Sequence, residues 1–298
     1  MDRHHQRVIG AASPQPAVRS APGPALSPSL ERWKLARRRL RAQVLKWRYR
    51  QELSALRHYV LFLGYPRSGH TLVASLLDAH PDMLFANGLD AARYVQFGFG
   101  VREIAALSIW NSMRFTRHGR RSNGFEYTVN GGLHGGWEKL EVIGDKSGDL
   151  FSYRLLDDSA LLHEVLDQFS GLGRFIHVIR NPFDCISTMA MRAGIELRAA
   201  ADEFLALCEA NRQAREAIPA NAWKDLRLEQ LIEQPRLALR ELCEFLGVKA
   251  DDRYLGQCAK LVFPSPHESR RTVDWPASLV AEVSMRIRAL PWLDGYRF

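Results

Sequence analysis

Apolar residues in this chain alternate between short continuous runs and longer stretches with helical spacing. Runs with an apolar centre lie at 59–63, 141–145 and 174–180, and each has the length of a buried strand. Each run is followed by apolar positions at helical spacing, as in the amphipathic stretch 155–169 after the second run. Strands that alternate with helices are typical of parallel sheets. The pattern therefore predicts a three-layer α/β/α domain with a mostly parallel central sheet.

The first run leads into a loop with the spacing of a phosphate-binding P-loop. Gly64-x-x-x-x-Gly69-His70-Thr71 matches that pattern, with His70 where nucleoside-triphosphate enzymes carry lysine. Glycines let backbone N–H groups point inward, and the N-terminus of the following helix adds positive potential. We expect the loop to bind phosphate, with Arg67 as the cation. The missing lysine argues against a triphosphate. A chance glycine loop before a helix is the alternative.

A second junction between a strand and a helix carries another anion-binding pattern. Arg180 ends the third run and can bind phosphate bidentately, while Asn181 and Pro182 are suited to cap and start a helix. Thr188 comes nearly two turns after Asn181 and lies on its side of the helix. Ser187, turned by roughly 100°, is the alternative hydroxyl. Two anion sites on two strand ends predict a ligand with two separated phosphates.

These residues resemble a known family. The first loop is similar to the phosphosulfate-binding loop of sulfotransferases that use 3′-phosphoadenosine 5′-phosphosulfate (PAPS), in the segment Tyr65-Pro66-Arg67-Ser68-Gly69-His70-Thr71-Leu72. The family's 3′-phosphate element has an arginine followed eight residues later by a hydroxyl residue, and Arg180 with Thr188 resembles it. Segments 223–247 and 269–276 are similar to its later strand and its closing loop more loosely. The resemblance covers 59–298 and implies the P-loop nucleoside-triphosphate-hydrolase-like fold of sulfotransferases.

The resemblance also implies roles for individual residues. Arg67 would bind the leaving oxygen, and Lys146 matches a lysine that shares this task in the protein-tyrosine branch of the family. The donor-binding residues that it implies are Arg67, Ser68, Gly69, His70, Thr71, Arg180, Thr188, Ser187, Arg270 and Arg271. No metal is expected, because the loop amides and these cations would neutralise the charge.

The general base is where the sequence departs from the family. The tyrosine-modifying branch has a glutamate at the place that Gly88 occupies here. Asp90, two residues away, is the first candidate, and His70 and His134 are others. His70 is equally well explained as a neutral ligand of the sulfonate or as a packed loop residue.

The resulting hypothesis is an enzyme that transfers a sulfonate from PAPS to an acceptor and leaves adenosine 3′,5′-bisphosphate. The acceptor would be a hydroxyl, less favourably an amine, on an unidentified small molecule or glycan. One alternative is a small-molecule kinase that uses ATP and Mg²⁺. Another is a catalytically degenerate family member that acts as a membrane or partner adaptor, which the missing glutamate favours.

Positive charge is concentrated near the N-terminus. The net charge is +8, yet 31–58 holds ten Lys or Arg against two acids, and 59–298 holds 28 against 30. A nucleic-acid partner is therefore not expected. Apolar residues recur at helical spacing in 31–58, which predicts a basic amphipathic helix; they are Trp33, Leu40, Val44 and Trp47. This stripe either contacts an anionic membrane surface or an acidic partner, or packs on the domain beside it.

Composition sets the remaining expectations. Hydrophobic content of 46% and charged content of 25% are typical of a globular protein. No apolar run approaches the ~20 residues of a membrane span, and 1–29 lacks the core of a signal peptide, so we expect a cytoplasmic protein. Residues 1–30, rich in Pro, Ala and Ser, are expected to be a disordered tail before the helix at 31–58 and the domain at 59–298. The four cysteines lack metal or disulfide spacing and are expected to be reduced.

Overall fold

The computed structural model describes residues 28–122 and 124–298. Five strands form its central sheet in the order β2-β5-β1-β6-β7, and every neighbouring pair is parallel. A short hairpin, β3 with β4, lies outside this sheet. The strands are β1 His58–Gly64, β2 Met83–Ala86, β3 Arg121–Ser122, β4 Phe125–Glu126, β5 Val142–Asp145, β6 Gly173–Ile179 and β7 Trp223–Arg227.

Helices connect the strands and cover both faces of the sheet. They are α1 Pro28–Arg48, α2 Arg50–Ser54, α3 His70–Leu77, α4 Ala91–Gln96, α5 Val101–Arg117, α6 Gly148–Asp157, α7 Leu161–Gln168, α8 Pro182–Ala193, α9 Leu197–Ala217, α10 Leu228–Glu233, α11 Pro235–Phe245, α12 Asp252–Ala259 and α13 Ala277–Arg288. Short 3-10 turns lie at Ala220–Ala222, Ser269–Thr272 and Pro291–Leu293.

The alternation of side chains along β1 creates the two sides of the core. Tyr59, Leu61 and Leu63 pack with α4, α5, α6 and α7 on one face. Val60 and Phe62 point to the opposite face and pack with α3, α10, α11 and α12. A further cluster joins α8, α9 and α13 beyond β6. The predicted three-layer α/β/α architecture with a parallel sheet is confirmed.

One helix predicted from the sequence is two helices in the structure. The apolar pattern at 155–169 predicts a single helix, whereas α6 already begins at Gly148 and the chain breaks at Asp158, which adopts an extended conformation with φ −149° and ψ 96°. The Asp158 carboxylate accepts the N–H of Ala160 at 3.1 Å. This local hydrogen bond stabilises a turn at the expense of the helix.

The N-terminal helix packs on the domain with a face that the sequence pattern did not predict. Ala42 of α1 is fully buried, and Arg39 donates to the carbonyl of Phe97 at 2.7 Å. The predicted apolar stripe points the other way, since Trp33 is 54% exposed and Trp47 70% exposed. The hypothesis that this stripe packs on the domain is wrong. Residues 1–27, most of the tail expected to be disordered, lie outside the described residues.

Candidate functional site

The loop between β1 and α3 curls because three of its residues adopt positive φ. Gly64 has φ 144°, and a Cβ there would lie 2.5 Å from the carbonyl oxygen of Val178, so only glycine fits against β6. Arg67 has φ 68° and Gly69 has φ 96°. Ser68 Oγ donates to the carbonyl of Tyr65 at 2.8 Å and closes the turn from inside.

This curl leaves backbone donors directed to the space in front of α3. Within the described chain, the N–H groups of Gly69, His70 and Thr71 have no protein acceptor, because they precede or begin the helix. Free N–H groups and the positive end of an eight-residue helix attract an anion together. The loop therefore has the local structure that the sequence pattern predicts for phosphate binding.

His70 occupies the floor of the loop. Its Nε2 lies 3.1 Å from the carbonyl oxygen of Leu63 and donates to it, which fixes the proton on that nitrogen. The ring packs so tightly that a Cβ at Gly148 would lie 2.5 Å from it. Burial lowers the pKa of His70 to about 4. The neutral imidazole is thus a packed loop residue, and neither a cation for phosphate nor an accessible base.

Three cations surround the loop. Arg67 in the loop, Lys146 after β5 and Arg192 in the last turn of α8 are each half-buried. Burial lowers the pKa of Arg67, and the charge of Arg192 lowers it further. Burial also lowers the pKa of Lys146, with a smaller contribution from Arg67. In the part of the chain that the structure describes, none of the three side chains has a hydrogen bond or ion pair, so together they form a cluster of positive charge with no acid bonded directly to it.

Asp149 and Tyr127 border this cluster. Asp149, in the first turn of α6, is half-buried and raises the pKa of Arg67, Lys146 and His70. Tyr127 follows the hairpin strand β4; burial raises its pKa, while Arg67 and Arg192 lower it. The segment around Tyr127 therefore lies near Arg67 and Arg192.

Arg180 joins the first loop to the segment 267–269. Its Nη1 donates to the carbonyl of Arg67 at 3.0 Å, and its Nη2 donates to the carbonyl of His267 at 2.5 Å. The Nη2 also lies 3.5 Å from Ser269 Oγ. This contact follows from the sheet, where β1 and β6 are adjacent and Gly64 pairs with Val178. Parallel neighbours end at the same edge, so both predicted anion elements lie in one cleft.

Hydroxyl groups line the cleft beside Arg180. Thr188 Oγ1 lies 2.9 Å from Ser269 Oγ and 2.7 Å from the carbonyl oxygen of Asp184. Ser187 Oγ accepts the indole N–H of Trp275 at 2.9 Å. Thr188 thus contacts Ser269, in the segment that holds Arg180. The Ser187 hydroxyl instead accepts a hydrogen bond from Trp275 in the C-terminal part of the chain.

The two arginines of the closing loop are paired with acids. Arg270 donates to Asp184 at 2.5 Å and to Glu268 at 2.6 Å, and its backbone N–H donates to Asp184 at 2.9 Å. Burial raises the pKa of Asp184, while the hydrogen bond from Arg270 opposes this shift. Arg271 is exposed and pairs with Glu268 at 2.6 Å. Arg270 therefore fixes the 267–272 segment beside Arg180.

The structure gives two of the predicted base candidates other partners. Asp90 accepts two hydrogen bonds from Arg154, one of them from Nε at 2.7 Å. His134 Nε2 accepts the N–H of Val129 at 2.8 Å, and its Nδ1 lies 3.4 Å from Asp78. These contacts engage both side chains within the protein, so the structure favours neither of them as the base over a carboxylate without a partner.

Sequence reasoning missed Asp149 and Ser269 as members of the site. Asp149 would have been found if the helix after β5 had been started at Gly148, because an acid three residues after Lys146 then falls in a first helical turn. No sequence signal indicates Ser269, because its contacts with Arg180 and Thr188 form only when the C-terminal segment packs against β6 and α8.

Two classes of feature are absent from the described residues. Over 28–122 and 124–298, no group of three or more His, Cys, Asp or Glu side chains is placed to hold a metal ion. No helix in these same ranges has both the length and the apolar character required to cross a bilayer.

Comparison with known proteins agrees with this geometry. A family model described as "Sulfotransferase family" matches residues 164–252, which include Arg180 and Thr188. None of the curated protein sequences matches the chain. The sulfotransferase domain of the Synechococcus PCC 7002 olefin synthase has a similar structure, with a TM-score of 0.52 and 16% identity, over 79% of this chain and 95% of that one.

A second solved structure, the sulfotransferase domain from the curacin biosynthetic pathway, is similar at a TM-score of 0.53 and 16% identity, over 79% of this chain and 98% of that one. At such identities the likeness shows the fold, while the family model adds the sequence signature around the second anion element. The segment 164–252 thus matches a sulfotransferase-family model, in agreement with the resemblance predicted from the sequence, and the fold is similar to that of solved sulfotransferase domains.

Proposed function

We propose that this protein transfers a sulfonate group from PAPS to a hydroxyl group of an acceptor molecule. The observation that carries the proposal is the contact of Arg180 with the Arg67 carbonyl, which joins two anion-binding elements in one cleft. PAPS carries a 5′-phosphosulfate and a 3′-phosphate, and a single cleft with two anion sites suits such a nucleotide. The family match over the second element supports the same donor.

The residues of the cleft fit the donor at both ends. At the 5′ end, the N–H groups of Gly69, His70 and Thr71 would bind phosphate oxygens, as free donors at a helix N-terminus do. At the 3′ end, Arg180 and Thr188 would bind the second phosphate, with Ser269 between them. The guanidinium of Arg180 is already held by two carbonyls, so it is oriented before a ligand binds.

Arg67 and Lys146 would supply the electrostatic part of catalysis. When bound, PAPS provides an activated sulfonate whose departure leaves negative charge on the 5′-phosphate. Both side chains are half-buried and lie beside the loop, and neither is bonded to an acid among the described residues. Cations fixed where charge develops stabilise the transition state more strongly in a partly dry site than in water.

Asp149 is the proposed general base. Among the described residues its carboxylate has no hydrogen-bond or ion-pair partner, and it lies near both Arg67 and Lys146. A carboxylate in that position can accept the proton of the acceptor hydroxyl as the new sulfur–oxygen bond forms. It takes the role that the sequence had suggested for Asp90, whose carboxylate is bound to Arg154.

The kinase alternative has little support from the loop. A triphosphate enzyme needs a cation at the position of His70, but this imidazole is buried, neutral at pH 7 and bonded to the Leu63 carbonyl. The adaptor alternative predicts that nucleotide binds without any transfer, and it stays a hypothesis that the following experiment tests.

The direct test is transfer of label. The purified full chain is incubated with ³⁵S-labelled PAPS and a panel of phenols, sugars and alkyl alcohols, without added metal. We expect label in at least one hydroxyl acceptor, with loss of transfer in Asp149→Asn. Transfer from γ-labelled ATP in place of PAPS, assayed with added Mg²⁺, would overturn the proposal in favour of a kinase. Nucleotide binding without transfer to hydroxyls or amines would favour the adaptor.

A further inference from the structure

Helix α1 has two apolar faces on opposite sides. The inner face packs on the domain through Ala42, which is fully buried, and Tyr49 just beyond the helix end contacts Trp137. The outer face consists of Trp33, Leu40, Val44 and Trp47, which are 54%, 67%, 56% and 70% exposed. Steps of seven, four and three residues keep these four side chains within an arc of roughly 60°. A helix on the surface needs only its inner face to pack on the domain. The outer stripe packs on no other helix or strand among the described residues.

Cations surround this outer stripe. The sequence of α1 carries eight Lys or Arg and a single acid. The guanidinium carbon of Arg37 lies 4.6 Å from the Trp33 ring centroid, and that of Arg50 lies 5.4 Å from the Trp47 ring. Long basic side chains thus lie beside the two indoles at the two ends of the stripe. This arrangement of an apolar centre with a cationic border is typical of helices that lie in a membrane interface.

A cationic cleft adjoins the C-terminal end of the stripe. It has a volume of about 510 Å³ and is lined by Lys46, Trp47, Arg50 and Arg102, among others. The acid in its wall, Glu103, accepts hydrogen bonds from Gln43 at 2.6 Å and from the N–H of Gly100 at 2.7 Å. Three basic side chains against this one carboxylate give the cleft a net positive charge, which suits a phosphate group.

We propose that the outer face of α1 binds the surface of an anionic lipid bilayer. Trp33 and Trp47 insert at the headgroup level, the surrounding Lys and Arg contact anionic lipids, and the cleft beside Trp47 takes a lipid phosphate. A second copy of the chain fits this face poorly, because two strongly basic helices would repel each other. A soluble acidic protein would pair with the basic side chains, but it would not explain why the exposed indoles of Trp33 and Trp47 lie at the two ends of the stripe. The proposal is independent of the sulfotransferase activity.

Vesicle sedimentation of the full chain tests this surface. The vesicles are phosphatidylcholine alone or phosphatidylcholine mixed with phosphatidylserine, and we expect binding to the mixed vesicles only. Replacing the indoles, W33S with W47S, should weaken binding by about tenfold or more. Reversing the charges at Lys34, Arg37 and Arg48 to Glu should weaken it by about a hundredfold or more. All these side chains are exposed, so melting temperatures should match that of the parent chain.

Helix α13 offers a matched control. It also carries an exposed apolar residue, Met285 at 64% exposure, and two exposed basic residues, Arg286 and Arg288. Met285→Ser with both arginines changed to Glu should leave vesicle binding unchanged. The proposal is overturned if the parent chain does not bind the mixed vesicles, or if the α13 variant loses as much binding as the α1 variants. A dimer in sedimentation velocity that the W33S/W47S change dissociates would assign the stripe to a second copy. If the chain binds soluble polyglutamate as tightly as it binds the mixed vesicles, and the W33S/W47S variant binds polyglutamate equally well, the surface is assigned to acidic proteins.

Discussion

Arg180 Nη1 donates a hydrogen bond to the backbone carbonyl of Arg67 at 3.0 Å, although the two residues are 113 positions apart in the chain. The contact brings the end of β6 against the loop that follows β1. It places the two proposed anion-binding elements at one edge of the sheet, where open parallel sheets bind their ligands. The predictions about nucleotide binding follow from this single relationship.

The first prediction concerns Arg67. Its φ of 68° means that an alanine there retains the cost of a left-handed backbone, whereas a glycine does not. Both Arg67→Ala and Arg67→Gly remove the guanidinium, and each should lower turnover by about 10²- to 10³-fold. Nucleotide affinity should fall only moderately, because the loop N–H groups remain. Steady-state kinetics with PAPS and calorimetry with its product measure the two effects; a loss in the alanine variant alone would indicate backbone strain instead.

The second prediction concerns Arg180. Arg180→Ala should weaken binding of adenosine 3′,5′-bisphosphate by about 10- to 100-fold, since a hydrogen-bonded charge pair is lost. Binding of adenosine 5′-monophosphate should change little. Arg180→Lys keeps the charge but loses the planar fork, so it should recover only part of the affinity. Calorimetric titration of both nucleotides measures the difference, and equal weakening of both would point to collapse of the loop.

The third prediction separates two carboxylates near the cleft. Asp149→Asn should lower turnover by about 10²- to 10⁴-fold with nucleotide affinity retained, as expected for loss of a general base. Asp90→Asn breaks the bidentate pair with Arg154 and should lower the melting temperature while a measurable turnover remains. The opposite outcome, with turnover lost in the Asp90 variant and kept in the Asp149 variant, would restore the original hypothesis from the sequence.

The fourth prediction is a pH dependence of stability caused by His70. Its folded pKa of about 4 lies below the ordinary value of 6.5, so the unfolded chain binds its proton first as the pH falls. The stabilising contribution is therefore complete above pH 6.5 and is lost progressively down to about pH 4. The total effect is about 3 kcal/mol.

Urea unfolding across this pH range measures the effect. His70→Gln keeps a donor for the Leu63 carbonyl but cannot titrate, so its free energy of unfolding should fall less between pH 6.5 and 4 than that of the parent chain. His163, exposed on α7, provides the control, and His163→Gln should keep the parent pH dependence. An unchanged slope in the His70 variant would show that the imidazole is not buried in its neutral form.

The fifth prediction concerns the buried ion pair of Asp78 and Arg120, joined at 2.7 Å and almost fully shielded from solvent. Arg120→Leu leaves the Asp78 carboxylate with fewer donors in the interior and should lower the free energy of unfolding by about 3–5 kcal/mol. Arg236, which pairs with Asp252 on the surface, is the matched control, and Arg236→Leu should have little effect. Denaturant titration of both variants measures the contrast.

The sequence predicted the sheet and the two anion elements because their signals are local. The apolar run at 59–63 and the glycine spacing after it define a strand, a loop and a helix without reference to the rest of the chain. The adjacency of β1 and β6 then follows from topology, which places Arg180 at the same edge as Arg67.

The parts that sequence reasoning missed depend on contacts between distant segments. His70 looks available for chemistry in the sequence, but packing against Gly64 and Gly148 makes it a buried residue. Arg270 looks like a free cation, yet Asp184 from α8 neutralises it. Periodicity shows only which residues of α1 share a face, so its apolar stripe was open to interpretation as the buried face. The face that packs on the domain is the opposite one, which contains Ala42.

We propose that one cleft binds both ends of a nucleotide with a 3′-phosphate. Calorimetric titration of the unmodified chain with adenosine 3′,5′-bisphosphate and, separately, with adenosine 5′-monophosphate tests this directly. We expect the 3′-phosphate to tighten binding by about 10- to 100-fold, because Arg180 and Thr188 gain a charged partner. Equal affinity for the two nucleotides would contradict it.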